Sequence, residues 1–268
     1  MNDASLIEYA FLLWLLAAAV AGLTAHVSLG WLVRARRHEQ FLDSAPSQLA
    51  AAGVLGTGVC ATALINLLGE PLHFALGYGS LAAVVLWLGA MVGSLVIITG
   101  LTFSTRWWMQ LLAAVALSAL LVGLQMGWVW AAGMRPGVLW RWPLVGAGVG
   151  LALVGTLVGL STAMAQGSRR RYDAQRFQRR GAALMLGLSL MGGQQVALSA
   201  ANAGSQRFSA YRNQLPGTLV GVACGVLVPM TLVVLSIDLS VRNRHRQRSL
   251  SNFTPQTRRK RRHKVRML

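Results

Sequence analysis

The sequence predicts an all-α, polytopic membrane bundle of about seven transmembrane helices, with the N-terminus outside the cytoplasm and the C-terminus inside. Three observations predict it. The chain is 54% hydrophobic but only 12% charged, against about 25% charged in soluble domains; lipid, not a soluble core, accommodates that much apolar surface. Seven apolar runs approach the roughly 20 residues that a spanning helix needs. The basic residues are strongly asymmetric along the chain, which orients those runs.

The first segment, 6–33, has no basic stretch before Leu6, so it is expected to be a retained helix and not a cleaved signal. The second, 48–68, is the richest in Gly and Ala. The others are 81–103, 109–132, 143–165, 181–201 and 217–239. Residues 1–240 form the membrane domain. Residues 241–268 contain no acidic residue and cannot bury a core, so they are expected to be a basic tail, disordered when free.

The connections set the orientation. One side collects Arg34, Arg36 and Arg37, then Arg106, then six arginines between Arg169 and Arg180, then eleven Lys and Arg from Arg242 to Arg266. That is 21 of the 25 basic residues; the other side holds Arg135, Arg141, Arg207 and Arg212. The positive-inside rule places the first side in the cytoplasm. The acidic N-terminus (Asp3, Glu8) agrees with an odd number of spans.

Packing is also readable. Gly155–Gly159 and Gly217–Gly221–Gly225 repeat at a spacing of four, which lets helix backbones approach closely. Pro229 is expected to kink the seventh helix. Trp107, Trp108, Trp140 and Trp142 fall at predicted interfaces, where amphipathic rings anchor. Cys60 and Cys224 are read as small buried hydrophobes.

Three helices that run toward the outer face share a Gly-rich approach to it: GTGVCATALINLLG (56–69), GLQMGWVWAAGM (123–134) and GLSLMGGQQVALSAA (187–201). With AHVSLGWLVRARR (25–37) and the spacing of all seven helices, this pattern resembles the MHYT domain, a bacterial integral-membrane sensor module. The resemblance covers about residues 5–240 and implies a multi-pass protein of the bacterial inner membrane with three degenerate repeats. The family's Met-His-Tyr positions are occupied here by Thr62-Ala63-Leu64, Val129-Trp130-Ala131 and Gly193-Gln194-Gln195; Gly133-Met134 keeps the family's Gly-Met. The family's proposed copper binding and gas or redox sensing use those Met and His side chains. Ala, Trp and Gln do not supply imidazole or thioether ligands. No metal and no cofactor are therefore expected.

Candidate ligand-pocket residues are Gln194, Gln195, Gln125, Met134 and His26. The amides lie near the outer ends of their helices and would line a small pocket if the repeats converge. The simpler reading is amides bonded across helices, at about 0.6 kcal/mol each. His26 is an ionisable group within a span, a functional hypothesis by default, although a histidine donating to a neighbouring carbonyl explains it too. Glu70 and His73, three apart in GEPLHFALGY, offer two metal ligands at most, and a helix-end carboxylate is the simpler reading. In the tail, Arg258, Arg259, Lys260, Arg261 and Arg262 are candidates for binding anionic lipid or a partner, at about 1 kcal/mol per cation near such a surface. Phe253 is the tail's only aromatic, so no specific nucleic-acid contact is expected.

No catalytic acid pair, activated nucleophile or P-loop is present, so the chain is not expected to be an enzyme. The expected function is that of a sensor-like or signalling-partner protein whose output comes from another polypeptide. The alternatives are a small transporter or channel, which would favour a mid-membrane cavity or broken helices, and a membrane scaffold.

Overall fold

The computed structural model describes residues 3–36, 41–70, 76–104, 106–135, 137–164, 172–202, 208–211 and 214–241. Among them, seven helices are long and apolar enough to cross a membrane, and the chain is a multi-pass, all-α bundle. The helices are α1 (Asp3–Ala35), α2 (Phe41–Leu68), α3 (Ser80–Phe103), α4 (Trp107–Ala131), α5 (Trp142–Met164), α6 (Tyr172–Ser199) and α7 (Gly217–Val241). Two begin earlier than their hydrophobic runs. α2 starts seven residues before Gln48, with Pro46 inside it, and α6 starts nine residues before Gly181. Polar residues continue a helix beyond the lipid-length stretch, so hydropathy marks the span and not the helix.

The spans form two classes. Buried residues make up 83%, 56% and 56% of the most apolar windows of α2, α4 and α6, but only 33%, 22%, 33% and 6% of those of α1, α3, α5 and α7. α2, α4 and α6 also pack pairwise against one another. They run parallel, with their C-terminal ends together. The core is thus a three-helix centre, and the returning helices form its shell.

Small residues make these packings possible. A Cβ added at Gly155 would lie 2.4 Å from Ser189 Cβ, and one at Gly148 would lie 2.9 Å from the Gly193 carbonyl oxygen. Gly159 faces Ala182 and Leu186 in the same way. α5 and α6 therefore meet almost backbone to backbone, where dispersion and close approach hold helices together. On α7, Gly217 and Gly221 face Leu68, and Gly225 faces Leu16. These are mainly contacts with leucine side chains, so the helix-to-helix backbone approach that the spacing of four predicts is found at Gly155–Gly159 and not along α7.

At Pro229 the expected kink is met by a local change of helix type. α7 is α-helical over Gly217–Val222 and widens to a π-turn over Ala223–Leu227. The Val228 N–H bonds to the Ala223 carbonyl, five residues back. The wider turn makes room for a proline ring that would otherwise meet the carbonyl four residues before it.

One end of the bundle carries a cap of short strands: β1 (Gly77–Tyr78), β2 (Met134–Arg135), β3 (Leu139–Trp140), β4 (Ala201–Asn202), β5 (Phe208–Ser209) and β6 (Leu215–Pro216). They pair antiparallel as β1·β6, β2·β5 and β3·β4. The α6–α7 connection thus supplies one strand to each of the other pairs. Ser209 fastens them. Its Oγ lies 2.9 Å from the Gly77 carbonyl and 2.7 Å from that of Ala132, to which its single proton is donated in turn, and it accepts the Gly77 N–H at 3.2 Å. Gly133 turns the chain at φ +57°, packed against the Tyr211 ring. At the opposite end, the Arg36 guanidinium donates to Met164 Sδ on α5 and to the Ser104 carbonyl after α3 (3.3 Å), joining the ends of three shell helices.

Candidate functional site

The capped end of the three central helices holds a small cavity of about 40 Å³. Leu67 and Glu70 line it from the end of α2, Val129 from α4, and Leu198 and Ala201 from the end of α6. Met134 and Val138 close it from the cap. Helical geometry places Asn66 one turn below Glu70, Gln125 one turn below Val129 and Gln194 one turn below Leu198. Each central helix therefore carries an amide below the residues that line the cavity, at depths that differ: Gln194 reaches the Val59 carbonyl, about two turns below Asn66.

All three amides are fully buried, at 0% exposure. Gln194 Nε2 donates to the Val59 carbonyl at 3.2 Å, and its Oε1 has no donor. Neither side-chain atom of Gln125 or Asn66 has a partner. A buried polar atom left unpaired costs about 1–3 kcal/mol, and most are paired in native proteins. Unpaired amides on all three central helices leave hydrogen-bonding capacity inside the core below the cavity.

Other groups shape the chamber. Gln195 Nε2 donates to Glu70 Oε1 at 3.1 Å. Burial raises the Glu70 carboxyl above its ordinary range, and the Gln195 hydrogen bond partly offsets this. Tyr78 is fully buried in β1, with its ring edge-on to Trp128 at 5.8 Å and 88°. The Tyr78 hydroxyl has no hydrogen-bond partner. Burial raises the Tyr78 phenol as well.

Of the five pocket residues read from sequence, Met134 lines the cavity and Gln195 bonds to Glu70 at its edge, whereas Gln125 and Gln194 are buried within the helical core and do not line it. His26 is elsewhere. It lies on α1 two residues past Thr24, which packs against Gly58, two turns below Asn66. Glu70 bonds to Gln195; His73 lies outside the described residues, as do Arg258, Arg259, Lys260, Arg261 and Arg262. Sequence reasoning missed Asn66. The available signal was an amide in the otherwise apolar LINLL of the first repeat, where the second repeat has one amide and the third has two.

No family model, curated protein or solved structure matches the chain.

Proposed function

We propose that the protein is a sensor-like membrane protein. It recognises a small ligand in the chamber at its capped end and passes occupancy to the opposite end, for a separate signalling protein to read. The observation that carries this reading is the cavity at the capped end, above three buried amides with unmet hydrogen-bonding capacity, one from each central helix. The arginine asymmetry supports placing the capped end outside the cytoplasm. The repeat pattern's resemblance to MHYT sensors supports the bacterial inner membrane.

A route for the signal is built into the packing. α6 carries Gln194 and is packed against α5 through glycines, so the two move as one body. The far end of α5 holds Met164, on which Arg36 docks. A shift of α6 in the chamber thus reaches the contact that joins α1, α3 and α5. The basic tail would hold this end against anionic lipid.

The test places spin labels at Phe103→Cys and Ser161→Cys, on α3 and α5 near Arg36, in a Cys60→Ala, Cys224→Ala background. Distance distributions are compared with and without Gln194→Leu. The reading expects the distribution to shift when this buried amide is removed. Superimposable distributions would refute coupling between the two ends.

A further inference from the structure

Size sets the first limit on what the capped end can bind. The cavity measures about 40 Å³, against about 300 Å³ or more for the usual organic-ligand pocket. It has room for about two or three waters, at roughly 10–15 Å³ each. Six of its seven lining residues are apolar, and the seventh is Glu70. The chamber thus offers one ionisable group and almost no space.

Glu70 is held by a partner that is itself half satisfied. Gln195 Nε2 donates to Glu70 Oε1 at 3.1 Å. Gln195 Oε1 is buried, and among the described residues no donor reaches it. A carboxyl and a carboxamide can pair through two parallel hydrogen bonds, one in each direction. An ionised carboxylate only accepts, so it completes one of the two. A protonated carboxyl carries an O–H, and the orphaned Gln195 Oε1, on the amide already bonded to it, is an acceptor for that O–H. A buried acceptor left unpaired is unfavourable; one proton removes that cost. Burial of the carboxyl acts in the same direction.

No neighbouring charge offsets this pairing among the described residues. The charged or titratable groups at this end are Arg135 and Arg141, both exposed, and Tyr78 and Tyr211 in and beside the cap. α4 and α6 bring none in their last two turns, and α3 and α7 none in their first. α1 passes Gly69 at Trp14, which is uncharged. Burial and the Gln195 bond alone act on the Glu70 carboxyl. His73, Arg207 and Arg212 lie outside the described residues.

We propose that Glu70 and Gln195 form a proton-binding site, and that the ligand of the chamber is a proton taken up from the capped side. The proposal rests on reading the capped end as a ligand chamber, and it names the ligand.

The experiment uses the full chain in detergent micelles. Infrared difference spectra are recorded between about pH 4 and pH 8, on unlabelled protein and on protein carrying carbon-13 in its glutamate side-chain carboxyls. A protonated carboxyl has a carbonyl band that a carboxylate lacks. One such band should persist above the ordinary glutamate midpoint of about 4.3, shift with the label, and be missing in Glu70→Gln. In Gln195→Met it should move to higher frequency, because its carbonyl loses the hydrogen bond from the amide. The labelled wild type decides whether a glutamate holds the proton even if a variant fails to fold. No glutamate band above the ordinary range overturns the proposal, as does a band that Glu70→Gln retains. A band unmoved in Gln195→Met overturns the pairing. The Phe103–Ser161 label distance is then measured at both ends of the titration. A titrating Glu70 with an unmoved distance keeps the proton site and overturns the sensor reading. A distance that responds to Gln194→Leu while Glu70 titrates in the ordinary range overturns the proton site and leaves the sensor reading standing.

Discussion

Replacing Gln125 by methionine should stabilise the protein. Gln125 is fully buried and neither its oxygen nor its nitrogen has a partner. Methionine has nearly the same length, is unbranched and fills irregular space without a cavity. The substitution removes an unsatisfied amide whose burial costs about 1–3 kcal/mol, so the expected gain is of that size. Gln48 is the matched control on the same core. It is almost as buried (2%), but its Nε2 donates to Ser44 Oγ at 2.8 Å and its Oε1 accepts from Thr99 Oγ1 at 3.1 Å. Gln48→Met loses both bonds and should cost about 1 kcal/mol, since hydrogen bonds within membranes average about 0.6 kcal/mol each. The assay is reversible unfolding by sodium dodecyl sulfate in mixed micelles, followed by helical circular dichroism. The same substitution in the same helical core should give opposite signs at the two positions. A loss at Gln125 equal to that at Gln48 would refute the reasoning, because it would show that the Gln125 amide is satisfied within the fold.

Gly155→Val should cost about 2 kcal/mol or more, because the new side chain meets Ser189 Cβ at 2.4 Å across the α5–α6 contact; chemical unfolding measures it, and a neutral result refutes close helix contact. Ser209→Ala removes the hydroxyl shared by Gly77 and Ala132 and should cost about 1–3 kcal/mol, with faster hydrogen exchange at the Gly77 N–H as the local readout. Glu70 gives a pH dependence. Its folded-state pKa is raised by burial, so the folded protein holds the proton more tightly than the unfolded chain does. Stability is full below the ordinary carboxyl range and falls as pH rises through the raised value. Melting curves between pH 4 and pH 8 should show that decline, and Glu70→Gln should flatten it; equal slopes in both proteins would exclude Glu70 as its source.

The spans were legible because lipid imposes a length on apolar runs, and the close helix contacts because glycines recur at the pitch of a helix face. Helix starts such as Phe41 and Tyr172 were not, because helical hydrogen bonding extends past the apolar stretch that hydropathy measures. The cap escaped reading because strands of two residues carry no periodicity, and their partners lie up to 139 positions apart, as for Gly77 and Pro216. Gln125 and Gln194 were visible as amides, but their depths relative to Asn66 depend on how three helices slide past one another. No single helix records that. The same holds for Cys60 and Cys224. They sit in separate apolar runs, on helices that pack against one another.

The strand cap also sets an order of assembly. β1, β2 and β3 are made early in synthesis, each with an edge that nothing upstream can pair. All three partners come from residues 201–216, between the sixth and seventh spans. The chain therefore has six spans in place before any of these ladders can close, and then one segment closes all three. Contacts this distant in sequence form slowly. A nascent chain halted before residue 201 would hold the three central helices and their amides, with the chamber still open above them.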